Sequence, residues 1–329
     1  MLAFLMRLAA FAALASLLPI SSASAHCLIG GRFLPATLSV DDPCVADELS
    51  LPTVAVFKNG DDPSARQLDI SGEYSKRITD WFGVSIGQTW TRLRPFDGPA
   101  VSGFQNLETT FKAQTITNAA HEFVLSFGVS VEWGRTGSAA VGAEDFSVIT
   151  PTLWFGKGFG DLPGTMSWLR PFAVTGQVGY AIPSRAATTT FGIDPLTGDP
   201  TADTEQHTRF VAWGGSLQYS MPYLKAQVVD LGLPDFFNRL IPIVEVNFLT
   251  PAGNNPLGLR TTGTINPGVI WVGKYYQVGL EAMLPINRES GRGVGFVGQL
   301  HFYLDDIFPT GIGRPIFTSM SPAGRSFGG

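Results

Sequence analysis

Four histidines, two cysteines and a set of regularly spaced carboxylates are the side chains in this sequence that could do chemistry. His26, His121, His207 and His301 stand far apart, in no HxxxH spacing, and neither a CxxC pair nor a GxSxG elbow occurs. Catalysis needs a nucleophile and a base in reach, or a shell of metal ligands. No catalytic residue, metal ligand or cofactor is therefore expected. His301 shares a face with Gln299 and Tyr303 in the segment Gln299-Leu300-His301-Phe302-Tyr303. A hydrogen-bonding histidine inside the fold is the plain reading. A Ser–His pair of a membrane-resident lipid hydrolase is the sharper one. Cys27 and Cys44 are the only cysteines. In an exported chain two cysteines form a disulfide, whereas a metal site with His26 has too few ligands at fixed spacing.

The carboxylates need elements to place them, and the elements are strands. Between residues 122 and 133, Phe123, Leu125, Phe127, Val129, Val131 and Trp133 fall on one face. Glu122, Ser126, Gly128, Ser130 and Glu132 fall on the other, with Val124 the exception. Successive side chains of a strand point to opposite faces. The same alternation sets Asp69 and Glu73 opposite Leu68, Ile70 and Tyr74. It sets Glu108 and Lys112 opposite Leu107 and Phe111, and Glu245 and Asn247 opposite Val244, Val246 and Phe248. Glu281 stands opposite Leu280, and Gln299 and His301 opposite Leu300 and Phe302. One face is thus apolar and the other carries seven carboxylates against Lys112 as the clear basic residue.

Composition says which face meets what. Only 15% of residues are charged while 44% are hydrophobic, with 38 glycines; soluble domains carry about 25% charged residues. After the N-terminus the longest charge-free stretch, 210–224, has 15 residues and contains Gly214, Gly215 and Pro222, so no spanning helix is expected. An apolar chain without a spanning helix can live in a bilayer only as a closed barrel, apolar side outward. The sequence therefore predicts an all-β fold, a transmembrane antiparallel up-and-down β-barrel of about twelve strands, with ten to fourteen bracketing the count. Asp69, Glu73, Glu108, Lys112, Glu122, Glu132, Glu245, Asn247, Glu281, Gln299 and His301 then line its lumen, where the excess of carboxylates favours cations.

Arg7, the apolar run 8–20 and the small-residue site Ala23-Ser24-Ala25 read as a secretory signal peptide spanning 1–25. Residues 26–65 read as an N-terminal periplasmic segment holding the disulfide, with a candidate first strand at 51–58. Residues 66–304 read as the barrel and 305–329 as an irregular tail. Eleven strands are expected near 66–77, 81–93, 104–116, 121–133, 145–157, 168–182, 206–221, 240–250, 264–273, 275–285 and 293–304. The tight gaps near 78–80, 117–120 and 274 fall on one side and the longer links on the other, as bacterial barrels alternate periplasmic turns with external loops. Residues 224–231, in one of the two longer links on the tight side, suit a short helix. Without Lys/Arg clusters, nucleic acid is not an expected partner.

Three phrases resemble the proteobacterial outer-membrane family of meta-pathway phenol-degradation transporters. They are Leu107-Glu108-Thr109-Thr110-Phe111-Lys112, Gly158-Phe159-Gly160-Asp161-Leu162 and Gln299-Leu300-His301-Phe302-Tyr303-Leu304. The resemblance covers roughly residues 66–304. It implies an outer-membrane channel or transporter for small molecules, aromatic or hydrophobic compounds among them. Lipid, a small-molecule solute and the barrel-assembly machinery are the implied partners. A lipid-hydrolysing enzyme and a closed structural or surface-interaction barrel stand as the alternatives.

Overall fold

Period-two alternation becomes twelve long strands in the computed structural model, which describes residues 27–61, 63–193 and 196–317. The expected signal peptide, His26 and the end of the tail from residue 318 lie outside the described residues. The strands are β1 (Glu48–Lys58), β2 (Arg66–Arg77), β3 (Phe82–Arg94), β4 (Leu107–Asn118), β5 (Phe123–Trp133) and β6 (Val148–Gly158). They continue as β7 (Phe172–Pro183), β8 (Arg209–Tyr219), β9 (Leu240–Gly253), β10 (Thr262–Val272), β11 (Tyr276–Pro285) and β12 (Gly295–Tyr303). Each pairs antiparallel with its neighbour in the chain, and β12 pairs with β1 to close the ring. Closure removes the sheet edges whose N–H and C=O groups lipid could not satisfy.

The first strand begins at Glu48, three residues before the expected start, and continues through Pro52. Trp168, expected to open a strand, belongs instead to the short helical stretch Gly164–Leu169 that precedes β7. The link between β8 and β9 carries three short helical segments, Met221–Tyr223, Leu224–Val228 and Asp235–Asn238. Both chain ends of the barrel lie on one side. There the links are mostly tight, and the far side carries long ones, including a projecting hairpin of Ala187–Ile193 with Pro200–Gln206.

The outer face is apolar and uncovered. Phe127, Leu280 and Phe296 are each more than half exposed, and Val56, Ile70, Ile86, Phe111, Leu153, Val178, Trp213, Val244 and Ile265 add to the same belt around the wall. Water would make such a surface costly, at about 25 cal/mol per Å²; a bilayer makes it the stable choice. Trp81, Trp168, Phe236 and Tyr275 are exposed on the links at the terminal side, where aromatic side chains form an interfacial girdle. No helix among the described residues is long and apolar enough to cross a membrane.

Inside the ring lies the chain's own N-terminus. Residues 26–65 are expected as a periplasmic segment, yet residues 27–47 lie inside the ring, where their backbone and side chains hydrogen-bond wall residues. A hairpin of Leu28–Ile29 with Arg32–Phe33 opens this plug, and the Cys27–Cys44 disulfide closes a loop with a sequence separation of 17. Such a loop contributes about 3 kcal/mol by the chain-entropy estimate. Beyond β12 the described part of the tail packs against the terminal side of the barrel. Leu304–Ile307 makes a helical turn, and the N–H groups of Ile316 and Phe317 donate to the carbonyls of Arg77 and Ile78.

Candidate functional site

The plug divides the inner wall into a covered part and a wet part. On the covered part, wall side chains with small or polar shapes receive plug groups. Leu34 occupies the space a side chain at Gly156 would fill, and Leu38 does the same at Gly279. Val124, the break in the alternation of β5, is fully buried against Cys27, Ile29, Leu34 and Cys44. Ile241, Ile243 and Ile270 also turn inward, packing against Phe33 and Leu38 of the plug.

Polar groups fix the plug's position. The Glu245 carboxylate accepts the backbone N–H groups of Leu38 (3.0 Å), Ser39 (2.9 Å) and Val40 (3.3 Å). Buried polar groups must find partners, and here a wall carboxylate satisfies three donors of a segment with no regular structure. Glu281 takes a contact from the Ser39 hydroxyl at 3.4 Å, and Asn266 donates to Ser39 Oγ at 2.6 Å. Gln277 donates to the Ala36 carbonyl and Ser126 to the Pro43 carbonyl. At the terminal end, the Arg32 guanidinium is fully buried and bonds Glu122 Oε2 at 3.0 Å. It also donates to the carbonyls of Arg170 and Pro171 and stacks over the Tyr223 ring at 3.6 Å. Burial lowers the Arg32 pKa, against the pull of Glu122. Glu122 sits in a turn with φ of 47° rather than on a strand, so its role is to latch the plug. Asp47, where the plug joins β1, pairs with Lys76 at 2.5 Å and Arg77 at 2.7 Å.

On the wet part, strand register brings lumen residues into a single row. His301 stands opposite Ser50, Ser50 opposite Glu73, and Glu73 opposite Gly87. Gly87 in turn faces Glu108, and Glu108 faces Glu132. Gly87 has no side chain, and the Glu73 carboxylate lies beside the space a side chain there would take, between Glu73 and Glu108. The row lines a cavity of about 480 Å³ between plug and wall, with Thr53, Ser71, Gln88 and Gln105 above it. A second space of about 200 Å³ adjoins it, sharing Asp41, Glu73 and Glu108 and reaching Trp154 and Gln177.

The other residues expected in the lumen make these contacts. Glu132 accepts from Asn106 at 3.1 Å, and Asp69 accepts from Thr91 at 2.7 Å. Asn247 accepts from Thr264 at 3.1 Å, and Gln299 donates to Thr53 at 3.2 Å. Lys112 pairs at 2.6 Å with Asp41, and at 2.7 Å it donates to the carbonyl of Asp42, both residues of the plug. His301 Nδ1 lies 2.8 Å from Ser50 Oγ, and its Nε2 lies 3.4 Å from Glu48 Oε2. That Ser–His contact faces the lumen, away from lipid, so it does not fit the lipid-hydrolase alternative. Cys27 and Cys44 are joined to each other, so neither offers a thiolate to a metal.

Sequence reasoning missed Arg32, Asp41, Asp47, Glu48 and Ser50. The first three lie in a segment without alternation, and the last two precede the recognisable part of β1. A signal was present all the same: inward apolar residues at 124, 241 and 243 have no place in a water-filled lumen.

The fold and lumen define a closed twelve-stranded transmembrane β-barrel with an internal N-terminal plug. Solved structures similar to this chain include the COG4313 outer membrane channel from Pseudomonas putida F1, at 12% identity and a TM-score of 0.48 over 82% of this chain and 99% of that one. The KdgM porin in complex with disordered oligogalacturonate shares 11% identity at a TM-score of 0.41, over 76% of this chain and 98% of that one. The NanC porin shares 7% at 0.43, over 77% and 98%. These likenesses are too distant to assign a solute, and the barrel assignment stands on strand register and the apolar belt. No protein-family description and no curated protein matches the chain, so the meta-pathway resemblance stays with the three phrases that carry it.

Proposed function

We propose that the chain is an outer-membrane channel for small solutes, narrowed by its own N-terminal plug and preferring cations. The carrying observation is the row Glu73–Gly87–Glu108–Glu132 along a water-accessible cavity of about 480 Å³. Carboxylates confined beside low-dielectric walls raise the local concentration of cations and repel anions. Among the cavity-lining residues Lys112 is held by Asp41 and Lys76 by Asp47, so neither basic group neutralises the row freely. Export through the signal peptide and insertion by the barrel-assembly machinery complete this reading, with the tight links in the periplasm.

Twelve strands enclose less space than the 16–18 of porins with clear water channels, and the plug reduces it further. Small polar or cationic solutes suit the Ser, Thr, Gln and Glu lining. Small aromatic molecules, which the meta-pathway resemblance adds, would find only Trp154 on the wall of the smaller space. A structural barrel closed by its plug is the competing reading, favoured by the dense contacts of residues 32–47. Conductance of the refolded protein in planar bilayers separates the two: discrete channel openings are expected, and their absence would favour the closed barrel.

A further inference from the structure

We propose that Ser50 is a nucleophile activated by His301, and that the lumen carries out acyl transfer from small esters. Ser50 Oγ lies 2.8 Å from His301 Nδ1, and Glu48 Oε2 lies 3.4 Å from Nε2. All three residues line the larger cavity. Glu48 Oε2 lies near the buried Nε2 without hydrogen-bonding it, and its charge favours the tautomer with the proton on Nε2, which leaves Nδ1 as the acceptor for the Ser50 hydroxyl. This is the order nucleophile, base, orienting carboxylate that activates serine on unrelated folds, with the two ring nitrogens exchanged. The backbone supports it. Against both neighbours the pairing of β1 skips from Ser50 to Thr53, one extra residue of the kind that re-aims side chains beside active sites. Thr53 and Gln299 occupy the next row of the same cavity, where the Gln299 amide donates to the Thr53 hydroxyl.

In the step proposed, Ser50 Oγ bonds to the ester carbonyl carbon while its proton passes to His301 Nδ1. Collapse of the tetrahedral adduct breaks the bond to the alcohol oxygen, and the alcohol leaves with that proton. Water, giving a proton to the same nitrogen, then releases the acid and restores Ser50. Glu73 beside Ser50 disfavours anionic esters. Lipid is excluded as a substrate because the nucleophile faces inward.

The test is covalent labelling of the full chain, refolded in detergent, with diisopropyl fluorophosphate. Oγ–P bond formation at Ser50 expels fluoride, and the serine proton passes to His301. Peptide mass spectrometry of the wild-type protein should place the adduct on Ser50. His301→Gln should slow labelling by roughly 100-fold or more, the scale of a lost general base. Ser167→Ala, which removes a serine of the Gly164–Leu169 stretch outside the cavity, should label as the wild type does. No adduct on Ser50 in the wild-type protein would overturn the proposal without recourse to any variant. An adduct that forms equally fast in His301→Gln would overturn it as well.

Discussion

Two parts of the inner wall, β7 to β11 and β1 to β5, obey the same alternation, and their inward carboxylates meet different fates. Glu245 and Glu281 are almost completely buried under the plug, whereas Glu73 and Glu108 are exposed to the lumen. Strand periodicity fixes which side of the wall a residue takes, and it is silent about what fills the space beyond. A carboxylate under the plug works as an anchor for backbone N–H groups. A carboxylate facing water is free to act on a passing ion.

The sharpest way to break that comparison is to remove the latch. Arg32→Ala leaves Glu122 buried without its cation, and losing one partner of a buried ion pair costs about 3–5 kcal/mol. The expected outcome is a plug that leaves the lumen, read as a larger single-channel conductance and faster proteolysis of residues 27–47. An unchanged conductance would mean that the plug is held elsewhere.

Substitutions in the wall come next. Phe127→Arg and Leu280→Arg put a charge against the bilayer core at about 2–4 kcal/mol each, and folding yield into vesicles should fall. Ser126→Arg and Gln277→Arg lie on the other face, where an empty lumen would accept them. Because Ser126 and Gln277 bond plug carbonyls, both should fold into vesicles and raise conductance by displacing the plug. Equal loss of folding at all four sites would contradict the facing assignment.

The disulfide should matter by about 3 kcal/mol. Alkylation without reductant should find no free thiol at Cys27 or Cys44, and reduction should increase conductance fluctuations. Two free thiols in the untreated protein would remove the staple from the plug.

A smaller effect is expected from pH. Burial, then the Glu48 carboxylate, pushes the pKa of Asp42 from 3.8 to about 7, with Lys112 pulling the other way. A carboxyl whose pKa is raised on folding contributes fully below its unfolded value and loses that contribution as pH climbs through the folded one. The plug should therefore be tighter at pH 5 than at pH 8, with conductance noise rising between them. Asp42→Asn should flatten that dependence.

Much of the barrel was legible because lipid imposes a simple rule on every strand: Glu132 and Ser130 on one face and Phe127 and Val129 on the other cannot be misread for long. The plug was not legible, because residues 34–47 carry no period of 2 or 3.6 and take their shape from the wall they meet. Val124, Ile241 and Ile243 were the visible traces of it. Glu122 was misplaced for a local reason, since the turn at Asn118–His121 ends in a left-handed residue that alternation counts as strand. Ser50 stayed hidden because the irregular pairing at Leu51 and Pro52 interrupts the period on which β1 would have been recognised.

The reversal potential of single channels across a tenfold salt gradient tests most directly whether the wet part of the lumen is the conducting path. Cation preference is expected at 0.1 M salt, where the Debye length is about 10 Å, and should fade near 1 M, where it is about 3 Å. Glu73→Gln with Glu108→Gln should reduce the preference at low salt. An anion preference in the wild-type protein, or an unchanged reversal potential in the double variant, would contradict a conducting path along Glu73, Glu108 and Glu132.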